Sequence, residues 1–242
     1  MIPCFFTVCD GSLEDYEFLL GSIEHHAEMG NHLVLDTTPI GKAKTFSRLP
    51  KSVKWVHQPI YGSGWKNFRF VSALKAAMAL AIDEFDPDVL VKLDADDFFE
   101  REATGVFAWA LDAILKFQYV HWMTDGNPYI FGDSEWHQCA WPGVSDVSIE
   151  LDPEWPKSRT YNGNPHTHPR VANPQKLPVV KVNELYRHHT HFALGRKAQD
   201  DEIAKHSITG WPHAKTLVSM RPWPARLWRW RTSGVLPSEY FQ

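Results

Sequence analysis

The residues best suited to chemistry in this sequence are Asp94 and Asp96, which close the run Asp88-Val89-Leu90-Val91-Lys92-Leu93-Asp94-Ala95-Asp96-Asp97. An apolar stretch of this kind reads as a buried central strand, and residues two apart on a strand project to the same side. The pattern therefore places the Asp94 and Asp96 carboxylates side by side and directs Asp97 elsewhere. Two like charges so close are unfavourable unless a cation lies between them or one is protonated. Oxygen ligands favour a hard ion, Mg²⁺ or Mn²⁺, and such ions complete their shells with phosphate oxygens. A diphosphate is the expected partner. The structural alternative is an acidic turn that caps the helix after Phe98.

A metal pair of this kind needs a crevice, and in open α/β sheets the crevice lies beyond the carboxyl ends of the strands. The first hundred residues supply that setting. Cys4 to Cys9 reads as a strand, Leu13 to Met29 as a helix and His32 to Leu35 as a second strand, the rhythm of βαβ units. Val53 to His57 follows, then a turn at Tyr61-Gly62-Ser63-Gly64. The next helix has Phe68, Val71, Leu74, Met78, Ala81 and Phe85 stepping by three and four. Asp86-Pro87 ends it, because proline has no amide hydrogen to continue the ladder. A further helix is expected over Glu102 to Phe117 and a strand over Gln118 to Met123. From Thr124 to Pro178 the chain is rich in Pro, Gly, Asn, His and Trp with little periodicity, the character of an ordered irregular region that carries acceptor recognition. Regular structure resumes at Val179 to Val182, Arg187 to Ala193 and a helix near Gln199 to His206. No internal repeat is evident.

Composition narrows the class. With 242 residues, 43% hydrophobic and 13% aromatic, the chain can bury the core of one large α/β domain, which excludes disorder as the default. A formal charge of −4 provides no overall attraction to nucleic acid or acidic membranes, so any polyanion must be met locally. Three cysteines without a Cys-x-x-Cys pair suggest neither a disulfide framework nor a thiolate zinc site, and a reducing cytoplasmic setting is expected. The N-terminus lacks the basic start and long apolar core of a signal peptide, and no run approaches the roughly 18 apolar residues of a membrane span.

Three further groups of residues bear on the site. Arg187-His188-His189-Thr190-His191 concentrates three of the thirteen histidines. On a strand His189 and His191 share a face directed toward the metal and His188 points away. A zinc site built from these residues alone lacks the His-x₃-His or His-Glu-x-x-His spacing. Gly62-Ser63-Gly64-Trp65-Lys66-Asn67-Phe68-Arg69 places small residues before a helix with Lys66 and Arg69 in its first turns, a phosphate cradle that matches neither a P-loop nor a dinucleotide fingerprint. A hydroxyl acceptor needs a carboxylate to take its proton. Asp125 is the first choice over Asp133, Glu135, Asp152 and Glu154.

The segment from Asp88 to Phe99 resembles the Asp-x-Asp stretch of GT-A-fold, family-2-like glycosyltransferases. The resemblance implies a single α/β GT-A (Rossmann-like) domain with a mixed, mostly parallel central sheet, helices on both faces and a long irregular acceptor-side region. In that family the first aspartate lies near the ribose and metal and the second coordinates the metal, roles that fall to Asp94 and Asp96. The end of the first strand, Thr7 to Asp10, holds the nucleotide through Thr7 and Cys9, and Asp36 faces the base. His191, Phe192, Ala193, Arg196 and the later Lys205 match the family's His-aromatic-small-x-x-Arg stretch and following lysine. His191 then becomes the third metal ligand, while Arg196, Lys197 and Lys205 neutralise the departing diphosphate. Lys66 and Arg69 contact the donor.

The expected organisation is 1–123 for the nucleotide-sugar half, 124–210 for the acceptor and diphosphate half, and 211–242 for a C-terminal arm that interleaves arginine with tryptophan from Arg221 to Arg231. That arm suits a saccharide, a nucleobase or a membrane interface as a peripheral contact. The expected activity is metal-dependent hexosyl or pentosyl transfer, inverting, from a UDP-sugar by preference to a hydroxyl on a glycan, a small molecule or a modified base in DNA. Nucleotidyl transfer is the rival enzyme class and lacks a Gly-rich, basic first loop here. A non-enzymatic carbohydrate-binding protein is the third reading.

Overall fold

The computed structural model describes residues 1–9, 13–41, 43, 49–59, 67–122, 128–131, 136–151, 160–161, 164–165, 169–189 and 214–216, some of them, Arg69 included, as backbone only. In chain order the elements are β1 (Pro3–Cys9), α1 (Leu13–His26), β2 (Asn31–Asp36), β3 (Val53–His57), α2 (Asn67–Phe85), β4 (Val89–Lys92), β5 (Asp97–Phe99) and α3 (Ala103–Val106), which runs into a 3₁₀ turn at Phe107–Leu111. Then come β6 (Ile114–Trp122), β7 (Pro128–Phe131), β8 (Trp136–Pro142), β9 (Ser148–Leu151), β10 (Thr160–Tyr161), β11 (Asn164–Pro165), β12 (Pro169–Ala172), β13 (Val179–His189) and β14 (Ala214–Thr216).

The fold is mixed α/β. One half of the main sheet runs β3-β2-β1-β4 with every neighbour parallel. Every residue of β1 and β4 is buried, as expected of parallel strands covered on both faces. α2 covers one face, with Val71, Leu74, Ala77 and Ala81 packed in one cluster with Cys4, Phe6, Leu33 and Leu90. α1 covers the other, Leu19 and Ile23 clustering with Cys9, Val34 and Ala95. Because the strands run parallel, their carboxyl ends gather at one edge. Cys9 stands beside Asp36, and Asp36 beside His57.

The second half of the sheet turns antiparallel. β8 lies antiparallel to β4 and to β6, while β13 runs parallel to β6 and antiparallel to β5. Gly143 secures the join: its amide donates to the Asp88 carbonyl at 2.8 Å, and the Pro87 carbonyl leaves no room for a Cβ.

Two sequence expectations change here. The helix expected over Glu102 to Phe117 is one helical turn plus a 3₁₀ turn, and Ile114 opens a nine-residue strand instead. A short apolar run such as Ala113 to Phe117 fits either period, and pairing with β8 and β13 decides it. Likewise Val179 to Val182 and Arg187 to Ala193 belong, as far as His189, to the single strand β13, whose pairing with β6 shifts register between Lys181 and Tyr186. The region from 124 to 178 carries strands β7 to β12, and β8 is an interior member of the sheet. The turn at 61–64 and the helix near 199–206 lie outside the described residues.

Candidate functional site

β4 ends at Lys92, two residues before the first aspartate, and Ala95 and Asp96 form a turn in which the Asp97 amide donates to the Asp94 carbonyl at 3.1 Å. The period-two rule therefore stops short of Asp94. The consequence corrects the expected geometry: it is Asp94 and Asp97, not Asp94 and Asp96, whose carboxylates meet at a shared partner. Lys92 and Asp94 do stand two apart, and Lys92 Nζ donates to Asp94 Oδ1 at 2.6 Å.

The shared partner is Arg187, delivered by β13. Antiparallel pairing sets Arg187 opposite Phe99 and His189 opposite Asp97. The Arg187 side chain is 1% exposed and Asp97 is completely buried. Nε of Arg187 donates to Asp97 Oδ2 at 2.5 Å, Nη2 to Asp94 Oδ2 at 2.7 Å and Nη1 to Cys139 Sγ at 3.1 Å. The guanidinium lies 4.7 Å from the Tyr119 ring centre, and the Tyr119 hydroxyl sits 3.0 Å from Asp97 Oδ2 and 3.2 Å from Asp94 Oδ2. Burial opposes the charge on both sides of this network. The attraction wins: Asp97 and its neighbours hold the Arg187 pKa well above its ordinary value, and Lys92 and Arg187 hold the Asp94 carboxyl below the usual carboxylate range.

His189 completes the cluster. Its Nδ1 lies 2.9 Å from Asp97 Oδ1 and 3.6 Å from Asp96 Oδ2, and one ligand atom from each of Asp96, Asp97 and His189 falls within 4.8 Å of the others. Ligands about 2.1 Å from Mg²⁺ stand about 3 Å apart along an octahedral edge, a length the 2.9 Å contact matches while the 3.6 Å contact would have to tighten around an ion. The donor set, two carboxylates and an imidazole, also suits Mn²⁺. Burial lowers the His189 pKa, but Asp96 and the bond to Asp97 outweigh it and raise the pKa to about 9. Asp94, engaged by Lys92, Arg187 and Tyr119, stands beside this set.

The other expected residues divide. Cys9 and Asp36 stand at the carboxyl edge and Thr7 lies two residues before it, opposite Val34, all three with their side chains enclosed. Thr7 Oγ1 is 2.8 Å from His32 Nε2. Asp36 Oδ1 accepts from the Thr38 amide at 2.9 Å and from the Thr38 hydroxyl, an Asx-type turn. The backbone of Arg69 lies in the first turn of α2. Lys66, Asp125, His191, Arg196, Lys197 and Lys205 lie outside the described residues. Sequence reasoning directed His189 toward the metal but missed Arg187, Tyr119, Lys92 and Asp97 as its partners in one network. Arg187 had a usable signal, since it shares parity with His189 on the same strand.

Beneath the site lie three buried histidines. Burial lowers the pKa of His25 and His26 and takes that of His32 from 6.5 to about 3. A depressed histidine stabilises fully above its unfolded pKa, and that stability is lost as pH falls toward the folded value. His189 acts with the opposite sign, its stabilisation complete below 6.5 and lost as pH rises toward 9. Between pH 5.5 and 4.5 the buried three dominate, because the loss from the depressed Asp94 carboxyl sets in chiefly below its ordinary value of 3.8. The metal-free protein should thus lose about 1.4 kcal/mol from His32 alone between pH 5.5 and 4.5, with His25 and His26 adding to the loss. Urea midpoints at the two pH values measure it, and His32→Gln should flatten the slope.

The sequence matches no protein-family model and no curated protein. Among solved structures the chain is similar to S. aureus TarS, with a TM-score of 0.38 and 10% identity, over 62% of this chain and 30% of that one. It is also similar to TarS 1–349, with a TM-score of 0.35 and 12% identity, over 59% of this chain and 47% of that one. TarS 1–349 in complex with UDP-GlcNAc gives a TM-score of 0.34 at 12% identity, over 59% and 46%. The chain thus spans less than half the length of each. Likeness at this level carries no functional weight, and the site's own geometry must do so.

Among the described residues no helix is long and apolar enough to cross a membrane.

Proposed function

We propose that the chain is a metal-dependent glycosyltransferase that moves a sugar from a nucleoside-diphosphate donor, UDP-linked by preference, to a hydroxyl acceptor. The observation that carries this reading is the acidic turn between β4 and β5, at the carboxyl edge of the parallel strands, brought against His189 and Arg187 by β13. Asp96, Asp97 and His189 hold Mg²⁺ or Mn²⁺ in this reading, and Asp94, in place beside them, meets the ribose. The metal, when bound, supplies positive charge for the diphosphate oxygens.

The rest of the chemistry belongs to the chain. The acceptor oxygen bonds to the anomeric carbon as the bond from that carbon to the diphosphate oxygen breaks, and Asp125 takes the hydroxyl proton. Arg196, Lys197 and Lys205, with Lys66 and Arg69, neutralise the charge that builds on the leaving diphosphate, which lowers the barrier more than it stabilises the bound donor. Thr7, Cys9 and Asp36 form the floor beneath the nucleoside. The region from 124 to 178 recognises the acceptor, a glycan, a small molecule or a base in DNA, and the arginine and tryptophan side chains of the arm from 211 to 242 supply a peripheral contact to a saccharide, a nucleobase or a membrane interface.

Thermal unfolding with UDP, GDP and CDP, each with and without Mn²⁺, tests the reading. One nucleotide, UDP by preference, should stabilise only when Mn²⁺ is present, by about 2.7 kcal/mol at a hundredfold excess over its Kd. Metal-dependent stabilisation by none of the three sinks it. Stabilisation by a nucleoside triphosphate in preference to all three diphosphates points to nucleotidyl transfer.

A further inference from the structure

β5 is only three residues long, yet it follows the aspartate turn directly and must fix its position. One backbone edge pairs with β13, through Asp97, Phe98 and Phe99 opposite His189, His188 and Arg187. In an antiparallel ladder alternate residues turn their amides and carbonyls away from the partner strand, and buried groups so turned need other partners. Here the partners are side chains from the last two turns of α1. Ser22 Oγ donates to the Asp97 carbonyl at 3.1 Å, His25 Nε2 donates to the Phe99 carbonyl at 2.7 Å, and the Phe99 amide donates to His26 Nε2 at 3.1 Å. The tautomer of His26 follows, because its Nδ1 lies 2.7 Å from the Ser22 carbonyl and must carry the proton. Residues 22, 25 and 26 share one helix face by their spacing of three and four. All three are buried, and the His26 ring stacks at 19° on Phe98.

We propose that Ser22, His25 and His26 are positioning residues that latch β5 from α1 and so hold Asp96 and Asp97 in the geometry that receives the metal. The latch rests on the metal-site reading above. Neither histidine touches the metal ligands; both act on the backbone that carries them. Short β5 gains a second hydrogen-bonded edge without a second strand, and the last two turns of the helix after β1 become mechanically tied to the acidic turn after β4. Outer partners that orient metal ligands in this way matter about tenfold to a hundredfold in metal affinity.

Matched variants of the full chain separate the latch from simple packing. The amide of His26→Gln reaches the Nε2 position and can accept from Phe99, whereas His26→Asn keeps only the Nδ1-like donor. In the metal-free protein, hydrogen exchange at the Phe99 amide should accelerate at least tenfold in His26→Asn and stay within about threefold of wild type in His26→Gln. The Mn²⁺ concentration for half-maximal UDP stabilisation should rise about tenfold in His26→Asn, little in His26→Gln and about threefold in Ser22→Ala. Folded His26→Asn with wild-type Mn²⁺ dependence overturns the proposal, as does an equal loss in both His26 variants. Should His26→Asn not fold, Ser22→Ala decides, and an unchanged half-saturation point there overturns it. Wild-type protein without any Mn²⁺ response defeats the metal-site reading and the latch together, an outcome distinct from failure of the latch alone, in which wild type responds.

Discussion

Arg187→Met should destabilise the fold by about 3–5 kcal/mol, the largest stability loss expected of any single change around the site. The methionine fills much of the space left by the arginine stem, so the loss is chiefly electrostatic. Asp97 is completely buried and would lose the guanidinium, with His189 left as its ionic partner, and Asp94 would keep only Lys92. The Tyr119 hydroxyl, with one proton, would have to serve both carboxylates. A buried ion pair need not add stability overall, because taking both charges out of water is expensive, but removing one member exposes the whole penalty of the other. That asymmetry supplies a control. Asp97→Asn in the Arg187→Met chain should recover part of the loss, with a coupling energy of about 1–3 kcal/mol in urea unfolding. Strictly additive single effects would mean that the two residues do not depend on each other.

The legibility of this network follows the range of each interaction. The strand from Val89 to Lys92 was readable because parallel burial leaves an unbroken apolar run, and the acids at its end were readable as a ligand edge. Where the strand stopped was not. Nothing local marks Lys92 rather than Leu93 or Asp94 as the last extended residue, and the two-residue error exchanged Asp97 for Asp96 in the carboxylate pairing. The 3₁₀ turn at 107–111 was misread for a related reason: Phe107, Ala110, Ile114 and Phe117 satisfy a helical period, while β8 and β13 exist only after the chain folds back. Arg187 pairs with carboxylates some ninety positions upstream, a separation without local signature. Parity was the available signal. The reasoning that set His189 and His191 on one face applies equally to Arg187, and a cation on the same face as proposed metal ligands has acids to answer. Ser22, His25 and His26 were hidden differently, since they bind backbone, and backbone groups leave no trace in residue identity.

The second large effect concerns function with little cost in stability. Asp96→Ala should abolish Mn²⁺-dependent stabilisation by UDP and reduce transfer on the order of a hundredfold or more, while the urea midpoint moves by less than about 1 kcal/mol. Asp96 belongs to the acidic turn, is less deeply enclosed than Asp97, and lies 3.6 Å from His189, a looser contact than the 2.9 Å between His189 and Asp97. Its removal also relieves repulsion among three neighbouring carboxylates, which offsets the lost attraction to His189. Asp97→Asn gives the contrast: it takes a ligand from the same set but also uncouples Arg187, so Mn²⁺ dependence and folding stability should fall together. The two aspartates thus have different duties despite their adjacency, Asp97 tying the site into the core and Asp96 facing what binds. Retention of full Mn²⁺-dependent UDP stabilisation by Asp96→Ala would remove Asp96 from the ligand set. Joint loss of stability in both variants would instead make the acidic turn a folding element first.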